Sequence, residues 1–397
     1  MSNVAMHPTL PALLVTFAAA GIAGCGLSSE GEAQAAERRA NPALTPALIA
    51  QGKAIFRFDT FGDEQLWTDR LRMHEVVATI DPITALSVGL KVDSEALPPG
   101  ILETADLSDP ATTVALLKLD AVVGIKAVVD DDNRITRLGI TCALCHSSVD
   151  DSVGPGIGRR MDGWANVDLD PGAIIALSPA VPPEAKAVYT SWGPGKYDPR
   201  FNIDGLSTPI VLPPAYGLRH IRNETFTGDG PVSYWNAYVA VTQMGGQGNF
   251  SDPRLGIDVS HTPDLVTAKL PALRAYQLSL EAPPPPAGSF DRVAARRGFP
   301  VFARNCMGCH VGSTRTDNNA GKLHAPEETG MDGAYAARTV NKAYRTTPLR
   351  GLWQHPPYFH DGSAATLADV VEHYDDTLAL GLTAAERADL VEYLKTL

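Results

Sequence analysis

The sequence predicts a mainly α-helical protein in two related halves, with long loops and a small β-hairpin inserted in the N-terminal half. Three observations carry that expectation. Helically spaced apolar residues follow Thr45-Pro46, fill Phe290 to Arg304, and recur at Leu390, Val391, Tyr393, Leu394 and Leu397. Gly52-x-x-x-Phe56 in the first half is repeated as Gly298-x-x-x-Phe302 in the second. A Cys-x-x-Cys-His motif occurs once in each half, at 142–146 and at 306–310.

The first helix opens on Pro46, where a missing N–H costs little, and carries Leu48, Ile49, Ala50, Ile55 and Phe56 at helical spacing. Residues 121–141 alternate as two extended runs around Asp130-Asp131-Asp132-Asn133, a hairpin that delivers the first motif. Residues 150–260 are rich in Gly, Pro and Asp, which predicts ordered loops with short helices; loops of that length are usually functional or wrap something large. The run Glu281-Ala-Pro-Pro-Pro-Pro-Ala-Gly288 reads as a polyproline linker. Beyond it, the helix from Phe290 leads into Cys306, and Thr383-Ala-Ala-Glu386 forms a capping box before the last helix. Phe302 precedes the second motif by four residues, whereas Phe56 precedes the first by 86 (56 to 142), so about eighty residues are inserted there. The expected division is a leader at 1–24, a tether at 25–45, an N-terminal domain with its insertion at 46–280, a linker at 281–289 and a C-terminal domain at 290–397.

A chain of 397 residues fits two domains at roughly 150 residues each. Its 44% hydrophobic and 20% charged residues are ordinary for a globular protein. A formal charge of −12 argues against a nucleic-acid partner. Residues 9–24 are apolar, uncharged and end in small residues, as an export leader does, and they are short for a membrane span. Ile22-Ala23-Gly24-Cys25 resembles a lipoprotein box in which Cys25 is lipidated, although no Lys or Arg precedes the apolar run. The expected location is the periplasm, with a lipid anchor through Cys25. The five cysteines are then accounted for: one in that box and four in the two motifs, leaving none for a structural disulfide.

Cys-x-x-Cys-His is the attachment signal of c-type haem. Each thiol forms a thioether with one vinyl group, and the adjacent histidine supplies the axial nitrogen. Zinc knuckles normally sit 15–20 residues apart, whereas these motifs are 164 apart (142 to 306). Neither motif lies in the βαβ context of a thioredoxin-like redox pair. Two covalent haems are therefore expected, at Cys142, Cys145 and His146 and at Cys306, Cys309 and His310, with His146 and His310 on the irons. The second axial position decides the function: a second ligand gives an electron-transfer haem, and an open position one that binds peroxide or oxygen.

Residues 343–375 contain Thr347-Pro-Leu-Arg350, Pro357-Tyr-Phe-His-Asp-Gly362 and Ala365-Thr-Leu-x-x-Val-Val371. In combination these elements resemble the bacterial di-haem cytochrome c peroxidase and MauG superfamily. The resemblance is close over the C-terminal domain and loose over residues 140–260. It implies two cytochrome c-like domains with facing haems, a redox partner protein or small electron donor, and Tyr374 opposite His310 where peroxidases have methionine. The neighbouring His373, or no ligand at all, stays open beside Tyr374. The resemblance further implies a calcium ion on the backbone carbonyls of Thr346 and Pro348. His355 and His360 are expected to pack at a haem edge rather than ligate iron.

The departures gather around the first motif. Phe226-Thr-Gly-Asp-Gly230 lacks the tryptophan that lies between the haems in the peroxidases, and Gln243 beside Met244 stands where their acid–base glutamate is expected. An amide cannot shuttle a proton as a carboxylate does. His74, His220 and Met161 are the other candidates to face the first iron, with surface or core packing as the plain alternative for each. Trp164, Trp192 and Trp235 are candidates to pack on a haem or carry an electron. Three functions stand together: a redox enzyme with a reactive N-terminal haem, a pure electron carrier, and a haem oxygenase of the rubber-oxygenase kind.

Overall fold

The computed structural model describes residues 44–101 and 104–397. The leader, most of the tether and the lipid-box cysteine Cys25 lie outside the described residues. Each half is organised around two crossing helices. In the N-terminal half α1 (Pro46–Phe58) packs on a helix near residue 275; in the C-terminal half the helix before the second motif packs on the last helix of the chain. The α1 terminus is set locally: Thr45 accepts a hydrogen bond from the Leu48 N–H, and Pro46 occupies the first turn.

The inserted segment after α1 builds a core of its own. Trp67, Met73, Val114, Leu117 and Leu138 are buried together, around α2 (Met73–Val77), α3 (Pro110–Lys118) and the hairpin β1 (Ile125–Val129) and β2 (Ile135–Ile140). The hairpin is the one the sequence predicts. Asn133 turns the chain with φ 59°, a left-handed conformation that Asn tolerates. Strand β2 ends two residues before Cys142, so the hairpin presents the motif on α4 (Ala143–His146). Directly after it, β3 (Ser147–Val149) pairs antiparallel with β4 (Arg160–Asp162). Among the described residues the sheets are all two-stranded, so helices and loops, not sheets, make the architecture.

The loop region expected between 150 and 260 carries short strands and helices, including α5 (Val232–Tyr238). It leads to α6 (Leu270–Ser279), which lies against α1 with Phe56 and Tyr276 in edge-on ring contact at 5.5 Å. Residues 281–286 have no regular structure. The C-terminal half then has α7 (Arg292–Asn305), α8 (Leu367–Thr377) and α9 (Ala384–Leu394). Asp291 caps α7 through the Val293 and Ala294 N–H groups, which starts this helix two residues later than the sequence spacing suggests. Both Thr366–Asp369 and Thr383–Glu386 form reciprocal capping boxes.

Gly52 and Gly298, the glycines of the sequence repeat, sit at the two helix crossings. A Cβ at Gly52 would come within 1.9 Å of the Ala272 carbonyl oxygen, and one at Gly298 within 2.0 Å of the Asp389 carbonyl oxygen. The repeat is thus a contact requirement: two helices approach until backbone touches backbone, and a large aromatic one turn later fills the space beyond. Phe56 and Phe302 are fully buried.

Candidate functional site

A cavity of about 360 Å³ runs between the two halves, and His146, Cys306, Cys309, His310 and Tyr374 all line it. The histidine of the first motif and all three motif residues of the second, far apart in sequence, therefore share one space. At the first motif the two thiols face different cores. Cys142 packs against the cluster holding Phe56 and Tyr238, and Cys145 against the cluster of the inserted segment. Burial pushes both thiols up to about 12. At the second motif burial pushes Cys306 up to about 11, and Cys309 moves in the same direction. All four are free thiols, paired by sequence spacing but not joined.

The histidines are oriented in the same way. His146 Nδ1 lies 2.9 Å from the Pro213 carbonyl oxygen, and His310 Nδ1 lies 3.0 Å from the Arg315 carbonyl oxygen. A carbonyl only accepts, so each Nδ1 carries the proton and each Nε2 keeps its lone pair. Burial lowers both imidazoles below their ordinary value, which keeps them neutral. A neutral imidazole held at Nδ1 by an acceptor is the arrangement that metal-ligating histidines adopt. The thiol pair, the fixed imidazole and the cavity at the second motif suit covalent haem, and His146 sets a second fixed imidazole into the same cavity.

Tyr374 lies on α8 and lines the cavity; burial pushes its phenol up to about 12. Its ring meets Phe359 edge-on at 5.8 Å. His373 points elsewhere, with Nε2 2.8 Å from the Thr329 carbonyl oxygen. Gln243 is buried at the end of a wide helical turn, Val239–Gln243, and accepts a hydrogen bond from the Tyr197 hydroxyl at 3.0 Å. It is not among the cavity-lining residues. His360 lines the cavity, stacks on Tyr344 at 4.4 Å and shares a 2.9 Å hydrogen bond with its hydroxyl. His355 also lines it, and burial lowers its imidazole to about 4.

Of the other candidates, His74 is on α2 with Nδ1 buried, Met161 is half-buried in β4, and His220 is exposed with φ 69°. None of the three lines the cavity, whereas Trp235 does. Trp164 meets Trp353 edge-on at 5.6 Å, and Trp192 is buried among Tyr189, Tyr197 and Phe201. The Thr346 carbonyl accepts a hydrogen bond from the Thr316 hydroxyl at 2.6 Å, and the Thr346 hydroxyl donates to Asp317 at 2.7 Å. One lone pair of that carbonyl is thus taken by a hydroxyl, and Pro348 lines the cavity.

Asp317 and His324 were not singled out by the sequence. With Cys309 they bring ligand atoms within 4.8 Å of one another, but thioether formation uses the Cys309 sulfur, so they are not an independent metal site. The carbonyls of Pro213 and Arg315 were also not foreseeable, because a backbone acceptor leaves no residue-type signature.

These features define the C-terminal part as a haem-binding cytochrome c domain, and the cytochrome c family model matches residues 295–397. Over part of its length the chain is similar to MauG proteins and to a cytochrome-c peroxidase. It is 30% identical over 122 residues to the methylamine utilization protein MauG of Methylophilus methylotrophus, covering 26% of this chain and 36% of that protein. It is 31% identical over 160 residues to the MauG of Methylorubrum extorquens, covering 33% and 43%. With a cytochrome-c peroxidase of Denitromonas iodatirespirans it shares 27% identity over 149 residues, covering 26% and 40%. The chain thus spans less than half the length of each of these relatives.

Proposed function

We propose that the chain is an extracytoplasmic di-haem redox protein whose C-terminal haem exchanges electrons and whose N-terminal haem is the reactive centre. The observation that carries this reading is the shared cavity, into whose wall both motif histidines are set with Nδ1 held by a backbone carbonyl. Bound haem supplies one-electron chemistry and, where a coordination position is open, binding of peroxide or oxygen. The protein does the rest. Cys142 with Cys145 and Cys306 with Cys309 anchor the porphyrins, and His146 and His310 present neutral nitrogens to the irons. Tyr374, lining the cavity near Cys306 and Cys309, offers an oxygen to the second site; an oxygen ligand lowers a haem's potential relative to methionine. Met307 and Val311, both exposed beside the second motif, give an electron donor an apolar rim at which to approach.

The candidates His74, His220 and Met161 lie off the cavity that His146 lines, which favours an open position at the first site. Gln243, hydrogen-bonded to Tyr197, stands where the resemblance expects the acid–base glutamate, and its amide cannot exchange a proton. Export is supported by the apolar run at 9–24 and by covalent haem retention, and no helix among the described residues is long and apolar enough to cross a membrane.

Optical and EPR spectra of the ferric holoprotein test the reading. A high-spin component from one haem and a low-spin component from the other are expected, with peroxide turnover slow or absent. Two wholly low-spin haems would leave a pure electron carrier. Turnover matching a peroxidase that retains the glutamate would remove the role given to Gln243.

A further inference from the structure

The cavity wall carries a charge imbalance that the motif residues do not explain. Among the lining residues Glu224 is the acid, and Arg345 and Arg350 are the fixed cations. Arg350 spends Nη1 on the carbonyls of Gly217 and Arg219. Glu224 is already engaged on both oxygens: Arg274 Nη2 lies 3.1 Å from Oε1, and the Val232 N–H donates to Oε2 at 2.8 Å. Arg345 feels the charge of Glu224, which Arg274 already holds, and makes no hydrogen bond to it. Its Nε and Nη1 are buried and make no hydrogen bond, while its backbone N–H is fixed on the Phe226 carbonyl at 2.9 Å. Burial pulls the guanidinium down to about 10, which still leaves it charged at neutral pH. A buried cation whose acidic neighbour is already held by another arginine is costly, and a planar fork of N–H donors best satisfies a planar carboxylate.

We propose that Arg345 pairs with a haem propionate inside the shared cavity and raises the midpoint potential of that haem. The inference rests on the di-haem reading, because the propionates are the carboxylates that haem brings into the cavity. The sign follows from charge: a fixed cation beside the porphyrin disfavours the ferric state, which carries one more positive charge than the ferrous state.

The test is a spectroelectrochemical titration of the holoprotein carrying Arg345→Gln, with haem content measured separately by pyridine haemochrome. The expected result is a full haem complement with the midpoint of one haem shifted down and the other unmoved, and with most of the shift recovered in Arg345→Lys. Full haem content with both midpoints as in the parent overturns the role of Arg345 while leaving the di-haem reading intact. Absence of haem from the parent protein overturns both. Should the Gln variant not fold, redox-difference infrared spectra of the parent between pH 6 and 9 decide: one propionate pair that stays ionised throughout supports the pairing, and protonated-carboxyl signals from every propionate overturn it.

Discussion

At the scale of single residues, burial without partners is the signal that separates function from packing here. Tyr374 is half-buried at the cavity wall near two cysteines, and among the described residues no hydrogen bond ties its hydroxyl to another residue's acceptor in the way that His373 is tied to Thr329. Tyr374→Phe is therefore expected to change the optical and EPR signature of one haem and leave the other as it was; an unchanged spectrum would remove Tyr374 from the iron. Asp63 is the contrasting case. It is fully buried beneath the hairpin, with Oδ1 unpaired and Oδ2 accepting the Ile140 N–H at 3.2 Å, and burial raises its carboxyl from 3.8 to about 9. Between pH about 4 and 9 the unfolded chain releases this proton and the folded chain keeps it, so the unfolded state binds fewer protons and stability falls as pH rises. Asp63→Asn keeps the acceptor and cannot ionise. Thermal melts should show it matching the parent near pH 4 and exceeding it at pH 8 by an offset that grows steadily between the two; an equal offset at both pH values would show that ionisation of Asp63 is not what limits stability.

At the scale of elements, the two helix crossings argue for a common plan in the two halves. The Gly-x-x-x-Phe spacing was legible in the sequence because a crossing of backbone on backbone admits glycine alone at its centre, and that restriction prints itself on residue type. The hairpin, the capping boxes and the α7 and α9 helices were legible for the same reason: each rests on side chains that only a few residue types supply. The short strand pairs of the 150–260 region were not, since two or three residues carry no periodicity. Nor were the Nδ1 anchors of His146 and His310, or the Arg345 nitrogens left without a hydrogen bond, because long-range partners of that kind are set by tertiary packing. The crossings can be tested directly. Alanine gains about 1 kcal/mol over glycine in a helix interior, but at Gly52 and Gly298 the added methyl would meet the carbonyls of Ala272 and Asp389, which belong to neighbouring helices and cannot swing away. The clash should win, each variant losing about 2 kcal/mol or more through overpacking. Gly154→Ala, with no heavy atom within 4 Å of the new Cβ, should stay within about 0.5 kcal/mol. Denaturant titration of the three variants separates these outcomes, and equal effects at all three positions would deny the crossings their role.

At the scale of the whole molecule, the cavity exists because the two halves are held face to face across it. Tyr216 reaches the Gly351 carbonyl at 3.1 Å and Gln354 at 3.0 Å, Trp353 donates to the Pro283 carbonyl at 3.1 Å, and Trp164 packs edge-on against Trp353. One further tie is ionic. Arg338 pairs with Asp198 at 2.8 Å and with Asp204 at 2.8 Å; Asp198 is buried and the arginine side chain is 6% exposed. Asp198 also accepts the Arg200 and Thr208 N–H groups, so it organises the loop that brings the N-terminal half to the interface. Removing one member of a buried pair leaves the other charge uncompensated, at about 3–5 kcal/mol. Because that energy is spent between halves rather than within one, Arg338→Met should do more than lower the melting temperature. With a protease site placed in the unstructured run 281–286, the cut parent should still elute as one species, held by the contacts just described, whereas the cut Arg338→Met protein should separate into two fragments, each keeping the haem attached to its own motif. Fragments of the variant that stay together would show that the hydrogen bonds and aromatic contacts between the halves suffice without the ion pair.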